Sequence, residues 1–63
     1  MNGKIKMNGK IVEYRQTNYG LPSWITRVEM RTDNKEFKIM KNDSTIPNQD
    51  DLFKLAKKYL KKF

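Results

Sequence analysis

The sequence predicts an α+β domain in which an antiparallel meander of three or four strands packs against one C-terminal amphipathic α-helix. The first observation is the helical spacing of apolar residues in segment 48–63. The second is the alternation of polar and apolar residues in segments 10–17, 23–32 and 35–41, which is typical of strands. The third is that turn-forming residues separate these segments. A chain of 63 residues is predicted to form one small domain, residues 1–63.

The helix is the most sharply defined element. Its apolar residues recur every three or four positions and would form one stripe: Leu52, Phe53, Leu55, Ala56, Tyr59, Leu60 and Phe63. Asn48 is the predicted N-cap, and Asp51 stands at the capping-box position three residues later. A helix this short is marginal in water by itself, so its stripe is expected to pack on a sheet formed by the preceding residues.

The N-terminal segment contains the pentapeptide Met-Asn-Gly-Lys-Ile twice, starting at Met1 and at Met7. One interpretation is a β-hairpin that turns at Asn8-Gly9, which suits a type I′ turn and makes residues 1–6 part of an edge strand. The other is a small duplication with Met7 as a second start, which leaves residues 1–6 as a mobile arm. We favour the hairpin, because lysines alternate with Ile5 and Met7 as in an edge strand.

The remaining strands are predicted to turn their apolar residues towards the helix. Segment 18–22 is a predicted loop, Asp33-Asn34 a predicted tight turn, and segment 42–47 a polar linker that carries the chain across to the helix. The side chains predicted on the helix-facing side of the sheet are Val12, Tyr14, Trp24, Val28, Met30, Phe37 and Ile39. Trp24 is assigned to this core because a lone tryptophan in a small domain is usually buried; the alternative is a stacking platform for bases that it would form with Tyr19.

The composition excludes several classes of site. The chain has no cysteine and no histidine, which removes disulfides, thiolate metal sites and the usual general base. Asp43, Asp50 and Asp51 do not have the spacing of paired catalytic acids or of metal ligands. No catalytic residue, cofactor or metal is therefore expected. No apolar run approaches the ~20 residues that span a bilayer, and no signal-peptide core follows Met1, so a cytoplasmic protein without membrane contact is expected.

The net charge of +7 favours an anionic partner. The face of the sheet turned away from the helix is predicted to carry four cations, Arg15, Arg27, Arg31 and Lys38, against three carboxylates, Glu13, Glu29 and Glu36. The solvent side of the helix carries five lysines against two aspartates. The excess positive charge is thus predicted on the helix and at the chain ends rather than on the sheet.

Candidate nucleic-acid-binding residues are the basic groups of both surfaces and one exposed ring: Arg15, Arg27, Arg31, Lys38, Lys57, Lys58, Lys61, Lys62 and Tyr19. Each has a plainer interpretation. The helix lysines would also form an ordinary solvated face that complements the helix dipole. The arginines would also pair across strands with glutamates.

Two hypotheses on function follow. The first is a small accessory protein that binds nucleic acid electrostatically with little base specificity. The alternative is a protein-interaction module, such as a regulator or inhibitor from a mobile element, that binds through the outer sheet face or an edge strand. Its candidate residues are Ile25, Met40 and Arg27, and homodimerisation belongs to the same class.

Overall fold

The computed structural model describes residues 1–20 and 24–63. Four strands, β1 (Asn2–Met7), β2 (Lys10–Tyr19), β3 (Ile25–Arg31) and β4 (Lys38–Asp43), precede one helix, α1 (Gln49–Lys62). The strands form one antiparallel sheet in the order β1-β2-β3-β4, and the helix packs on one face of it. The predicted α+β architecture is confirmed.

The N-terminal segment is a hairpin, with Met7 opposite Lys10 across the turn. Both turn residues have positive φ, 52° at Asn8 and 76° at Gly9, as a type I′ turn requires. Further along the hairpin, the Tyr14 ring lies over the backbone of Gly3, where a Cβ atom would stand only 2.5 Å from the ring. The hairpin interpretation is confirmed, and residues 2–7 are an edge strand.

Strand β2 is longer than predicted, because it continues through Asn18 to Tyr19. The two residues pair with the start of β3, and the Thr26 hydroxyl donates a hydrogen bond to the Asn18 side chain at 3.1 Å. The loop therefore begins two residues later than predicted, at residue 20. Its residues Leu21 and Pro22, and Ser23 at the predicted start of the next strand, lie outside the described residues.

The core lies between the helix and the inner face of the sheet, by which we mean the face turned towards α1. Its buried apolar residues come from three strands and the helix: Ile5, Val12, Val28, Met30, Leu52, Ala56 and Tyr59. Half-buried side chains pack around them: Met7, Tyr14, Met40, Leu55 and Leu60. The predictions for Val12, Tyr14, Val28 and Met30 are confirmed.

The helix begins with the predicted capping box. The Asp51 N–H donates to Asn48 Oδ1 at 2.8 Å, and the Asn48 N–H donates to Asp51 Oδ2 at 3.1 Å. Two residues of the predicted apolar stripe are not buried against the sheet: Phe53 is 38% exposed and Phe63 is 56% exposed. Phe63 lies beyond the last helical residue, with its ring centroid 5.2 Å from that of Tyr59.

Strand β4 departs from the predicted register. The turn at Asp33-Asn34 is present, with φ of 54° and 56° at its two residues. A two-residue turn of this kind would place Phe37 opposite Met30, whereas the structure places Lys38 there. One additional residue therefore lies between the turn and the strand.

This shift changes the face of every side chain at the start of β4, because strand side chains alternate with a period of two. Phe37 and Ile39 leave the inner face, and Ile39 stands opposite Glu29 with 56% of its surface exposed. Met40 has no partner in the ladder, since a bulge lies between the pairs made by Val28 and Glu29, and it packs against the core. The inner-face predictions for Phe37 and Ile39 are wrong, and so is the outer-face prediction for Met40.

Candidate functional site

The outer face of the sheet is the face turned away from α1. Its residues are identified by the strand pairing, in which Lys4 stands opposite Glu13, Glu13 opposite Arg31, and Arg15 opposite Glu29. The inner-face partners Ile5 and Val12 are buried, so their sequence neighbours point outward. Five cations and two carboxylates of the strands share this face: Lys4, Lys6, Arg15, Arg27 and Arg31 with Glu13 and Glu29.

The cations of this face differ from the predicted ones in two respects. Lys4 and Lys6 belong to it because segment 2–7 is a strand of the sheet rather than a chain end. Lys38 does not belong to it, because the shift in β4 places Lys38 opposite Met30 on the inner side, with its Nζ 5.9 Å from the Phe63 ring. The prediction that Lys38 joins the arginines is wrong.

Two of the three arginines are tied to glutamates across the β2–β3 ladder. Arg15 donates from Nε and Nη2 to the two carboxylate oxygens of Glu29, each at 3.2 Å. Arg31 donates from Nη2 to Glu13 at 3.3 Å. The interpretation of these arginines as cross-strand pairs is confirmed, and their charges are largely offset locally.

Phe37, immediately before β4, contacts the same two guanidinium groups. The Cζ atoms of Arg15 and Arg31 lie 4.3 Å and 4.4 Å from its ring centroid. This is cation–π distance, and it gives Phe37 a set of contacts on the outer face in place of burial in the core. This position cannot be predicted from the sequence, because Phe37 alternates with polar neighbours in the way that an inner-face residue does.

Arg27 differs from the other two arginines. Among the described residues it forms no ion pair, and residues 21–23 contain no carboxylate. Its neighbours across the strands are Thr17 and Asn42, and its Cζ lies 5.2 Å from the centroid of the Tyr19 ring. Its Nε atom, like that of Arg31, is buried without a hydrogen-bond partner in the described part of the chain. Arg27 is thus a half-buried cation without a compensating charge.

Aromatic side chains are exposed at the end of the sheet beside Arg27. Tyr19, the last residue of β2, is 43% exposed, and Trp24, immediately before β3, is 64% exposed. The core assignment of Trp24 is wrong. Its φ of 49° is not that of a strand residue, so the alternation of side chains along β3 stops before Trp24. Trp24 therefore does not share the inner face with Val28 and Met30.

The helix lysines lie on the other layer of the molecule. Lys57, Lys58, Lys61 and Lys62 are all exposed. They form no ion pair within residues 1–20 and 24–63, although Lys62 Nζ lies 5.6 Å from the Phe63 ring. Because α1 covers the inner face, the structure does not bring these lysines together with the arginines.

The residues predicted for a protein interface are also separated. Ile25 is half-buried on the outer face opposite Tyr19, near Arg27, whereas Met40 packs against the core. The apolar groups that the outer face does expose are Ile11 and Ile39, at 54% and 56%.

Open grooves flank the helix in the part of the chain that the structure describes. One of about 520 Å³ lies between the β1–β2 hairpin and the start of α1, and includes Ile46, Leu52 and Phe53. Another, of about 550 Å³, lies between β4 and α1. At its edge, hydrogen bonds from the Lys41 ammonium and from Thr45 lower the pKa of the exposed Asp43 carboxyl to about 2.

Within residues 1–20 and 24–63, no group of three or more acidic, cysteine or histidine side chains is placed to hold a metal ion. In the same part of the chain, no helix has the length and apolar character needed to cross a membrane. Comparison with protein-family models, with curated proteins and with solved structures found no match.

Proposed function

We propose that the protein is a cytoplasmic accessory protein that binds nucleic acid electrostatically through the outer face of its sheet, with little base specificity. The observation that carries the proposal is the charge of this open face, where five cations oppose two carboxylates and no helix covers them. Phosphate groups are the natural counter-charge for such a surface, and phosphate contacts carry no sequence information.

The groups available to phosphate are those without a carboxylate partner. Lys4, Lys6 and Arg27 meet this condition among the described residues, whereas Arg15 and Arg31 are paired. Neutralising about three phosphates gives a log–log salt slope of about −2.7 with duplex DNA and about −2.1 with a single strand, so affinity should fall on the order of 40-fold and 20-fold, respectively, between 50 and 200 mM salt.

The test is fluorescence anisotropy of a labelled oligonucleotide over a salt series, with two variants that remove the same charge. The outer-face variant carries Lys4→Gln, Lys6→Gln and Arg27→Gln. The helix variant carries Lys57→Gln, Lys58→Gln and Lys61→Gln, and it tests the alternative in which the predicted lysines of α1 contact phosphate.

We expect the outer-face variant to lose most of the salt slope and the helix variant to keep it, because only the first removes groups that would touch phosphate. Loss of the slope in the helix variant alone would move the site to α1. Absence of binding by the unaltered protein at low salt, with any probe, would overturn the proposal.

A second candidate function is protein interaction through the same face, as a regulator or inhibitor. The exposure of Ile11 and Ile39 among charged residues favours it, because apolar groups with arginines are characteristic of interface centres. A homodimer through this face or through the edge of β4 is the simplest form. Analytical ultracentrifugation at micromolar concentration tests it: Ile39→Lys should abolish a dimer, and a monomeric unaltered protein excludes self-association.

A further inference from the structure

The exposed aromatic residues at the end of the sheet suggest a more specific ligand. Strand β2 ends at Tyr19, which stands opposite Ile25, and Trp24 is the residue immediately before Ile25. Two large rings therefore lie at the same end of the β2–β3 ladder, and 43% and 64% of their surfaces remain in contact with solvent. Exposure of this degree is unusual for the one tryptophan of a small domain.

A cation stands beside one of these rings, that of Tyr19. The Arg27 guanidinium carbon lies 5.2 Å from the Tyr19 ring centroid, and no carboxylate within residues 1–20 and 24–63 pairs with it. The pair thus combines a flat apolar surface with a positive charge that has no ion-pair partner among the described residues. A nucleotide presents the complementary groups, a flat base and a negative phosphate.

We infer that the protein prefers single-stranded over double-stranded nucleic acid, with bases stacked on Tyr19 and Trp24 and a backbone phosphate at Arg27. The inference rests on the proposed function and adds the class of nucleic acid to it. Bases of a single strand can leave their own stack and lie on aromatic rings, whereas paired bases in a duplex cannot. Stacking on a ring tolerates every base, so the preference for single strands carries no base specificity.

The other aromatic residues do not offer the same surface. Phe37 on the outer face has two guanidinium groups against its ring, those of Arg15 and Arg31, whereas Tyr19 has only that of Arg27 among the described residues. Tyr59 is buried in the core, and Tyr14 is half-buried over Gly3. Phe53 and Phe63 are exposed, but they belong to the helix layer, where the Phe63 ring centroid lies 5.2 Å from that of Tyr59. The inference therefore concerns only the end of the sheet formed by Tyr19 and Trp24.

The first measurement uses Trp24 itself, because it is the only tryptophan and reports directly on the site. The protein is titrated with a short oligothymidylate and with a duplex of equal length. The two titrations use the same salt concentration and are compared at equal concentrations of backbone phosphate. We expect quenching of tryptophan fluorescence by the single strand, little change with the duplex, and an affinity on the order of tenfold higher for the single strand.

The second measurement compares Trp24→Ala and Tyr19→Ala by anisotropy of labelled oligonucleotides. Each should weaken single-strand binding by about fivefold or more, leave duplex binding and the salt slope unchanged, and so differ from the charge variants. Tyr19→Phe keeps the ring and should bind normally. The matched control is Phe53→Ala, which removes an exposed ring from α1 and should leave binding unchanged.

The outcomes separate this inference from the proposed function. Equal affinity for both probes, without quenching and without an effect of Trp24→Ala, would overturn the single-strand preference and leave electrostatic binding in place. Absence of binding to both probes would overturn both. Self-association that depends on Trp24, with no nucleic-acid binding, would also overturn the inference and assign the rings to a protein interface.

Discussion

The two basic surfaces of this protein differ in how their charges are held. On the outer face of the sheet, Arg15 and Arg31 are fixed by glutamates and by the Phe37 ring. On the helix, the four lysines of residues 57–62 extend into solvent without an ion pair among the described residues. A count of charges does not separate the two surfaces, since each carries five cations against two carboxylates, whereas the contacts make the sheet the more organised one. The position of a cation relative to its neighbours therefore says more about a binding site than the total charge does.

Both surfaces depend on one core, and removing part of it should have the largest effect. Met30 is fully buried in β3, so Met30→Ala should destabilise the domain by about 2–5 kcal/mol. Ile39→Ala, in the neighbouring strand, should cost no more than about 0.5 kcal/mol because that side chain is exposed on the outer face. Urea denaturation followed by circular dichroism measures both. Equal losses would mean that Ile39 is in the core and that the register of β4 is the one predicted from the sequence.

Phe37 tests the outer face alone. Phe37→Ala should destabilise the domain by about 1–2 kcal/mol, because two cation–π contacts of roughly 0.5–1 kcal/mol each are lost. Phe37→Leu is the matched control, since it keeps apolar contact and removes the ring. Thermal unfolding of the two variants separates the contributions. A loss of about 3–5 kcal/mol for the alanine variant, as for a buried phenylalanine, would contradict the outer-face position.

The helix surface depends on local capping instead. Asn48→Ala removes the side chain that accepts the Asp51 N–H, and we expect a loss of about 1 kcal/mol. Gln49→Ala alters the next residue, which is exposed and takes no part in the capping box, and should be nearly neutral. Chemical denaturation of the two variants measures the difference. If both variants behaved alike, the capping box would not stabilise the helix.

The smallest effect is expected for the lysines themselves. Changing Lys57, Lys58, Lys61 and Lys62 to glutamine should alter stability by no more than about 0.5 kcal/mol, because exposed charges without partners contribute little. Any loss of stability should be confined to low salt, where lysines in the last turn interact favourably with the helix dipole. Melting temperatures at low and high salt test this. A salt-independent loss of several kcal/mol would show that the lysines are structural and would remove the distinction between the two surfaces.

Local rules in the sequence determined the helix and the first hairpin. The capping box needs only Asn48 and Asp51 three residues apart, and the type I′ turn needs only Asn8-Gly9 between alternating residues. Each of these contacts joins residues close in the chain, so its energy depends little on the rest of the fold. The α+β architecture follows, since the helix stripe and the alternating strands have one apolar face each.

Only the tertiary structure decided which residues form the candidate site. One additional residue after the turn at Asp33-Asn34 moved Phe37 to the outer face, and the bulge turned Met40 to the core. Strand side chains alternate with a period of two, so a shift of one residue exchanges the faces while the local pattern stays the same. The energies that choose between the two registers come from distant partners, such as the guanidinium groups of Arg15 and Arg31 around Phe37. No pattern within β4 itself contains that information.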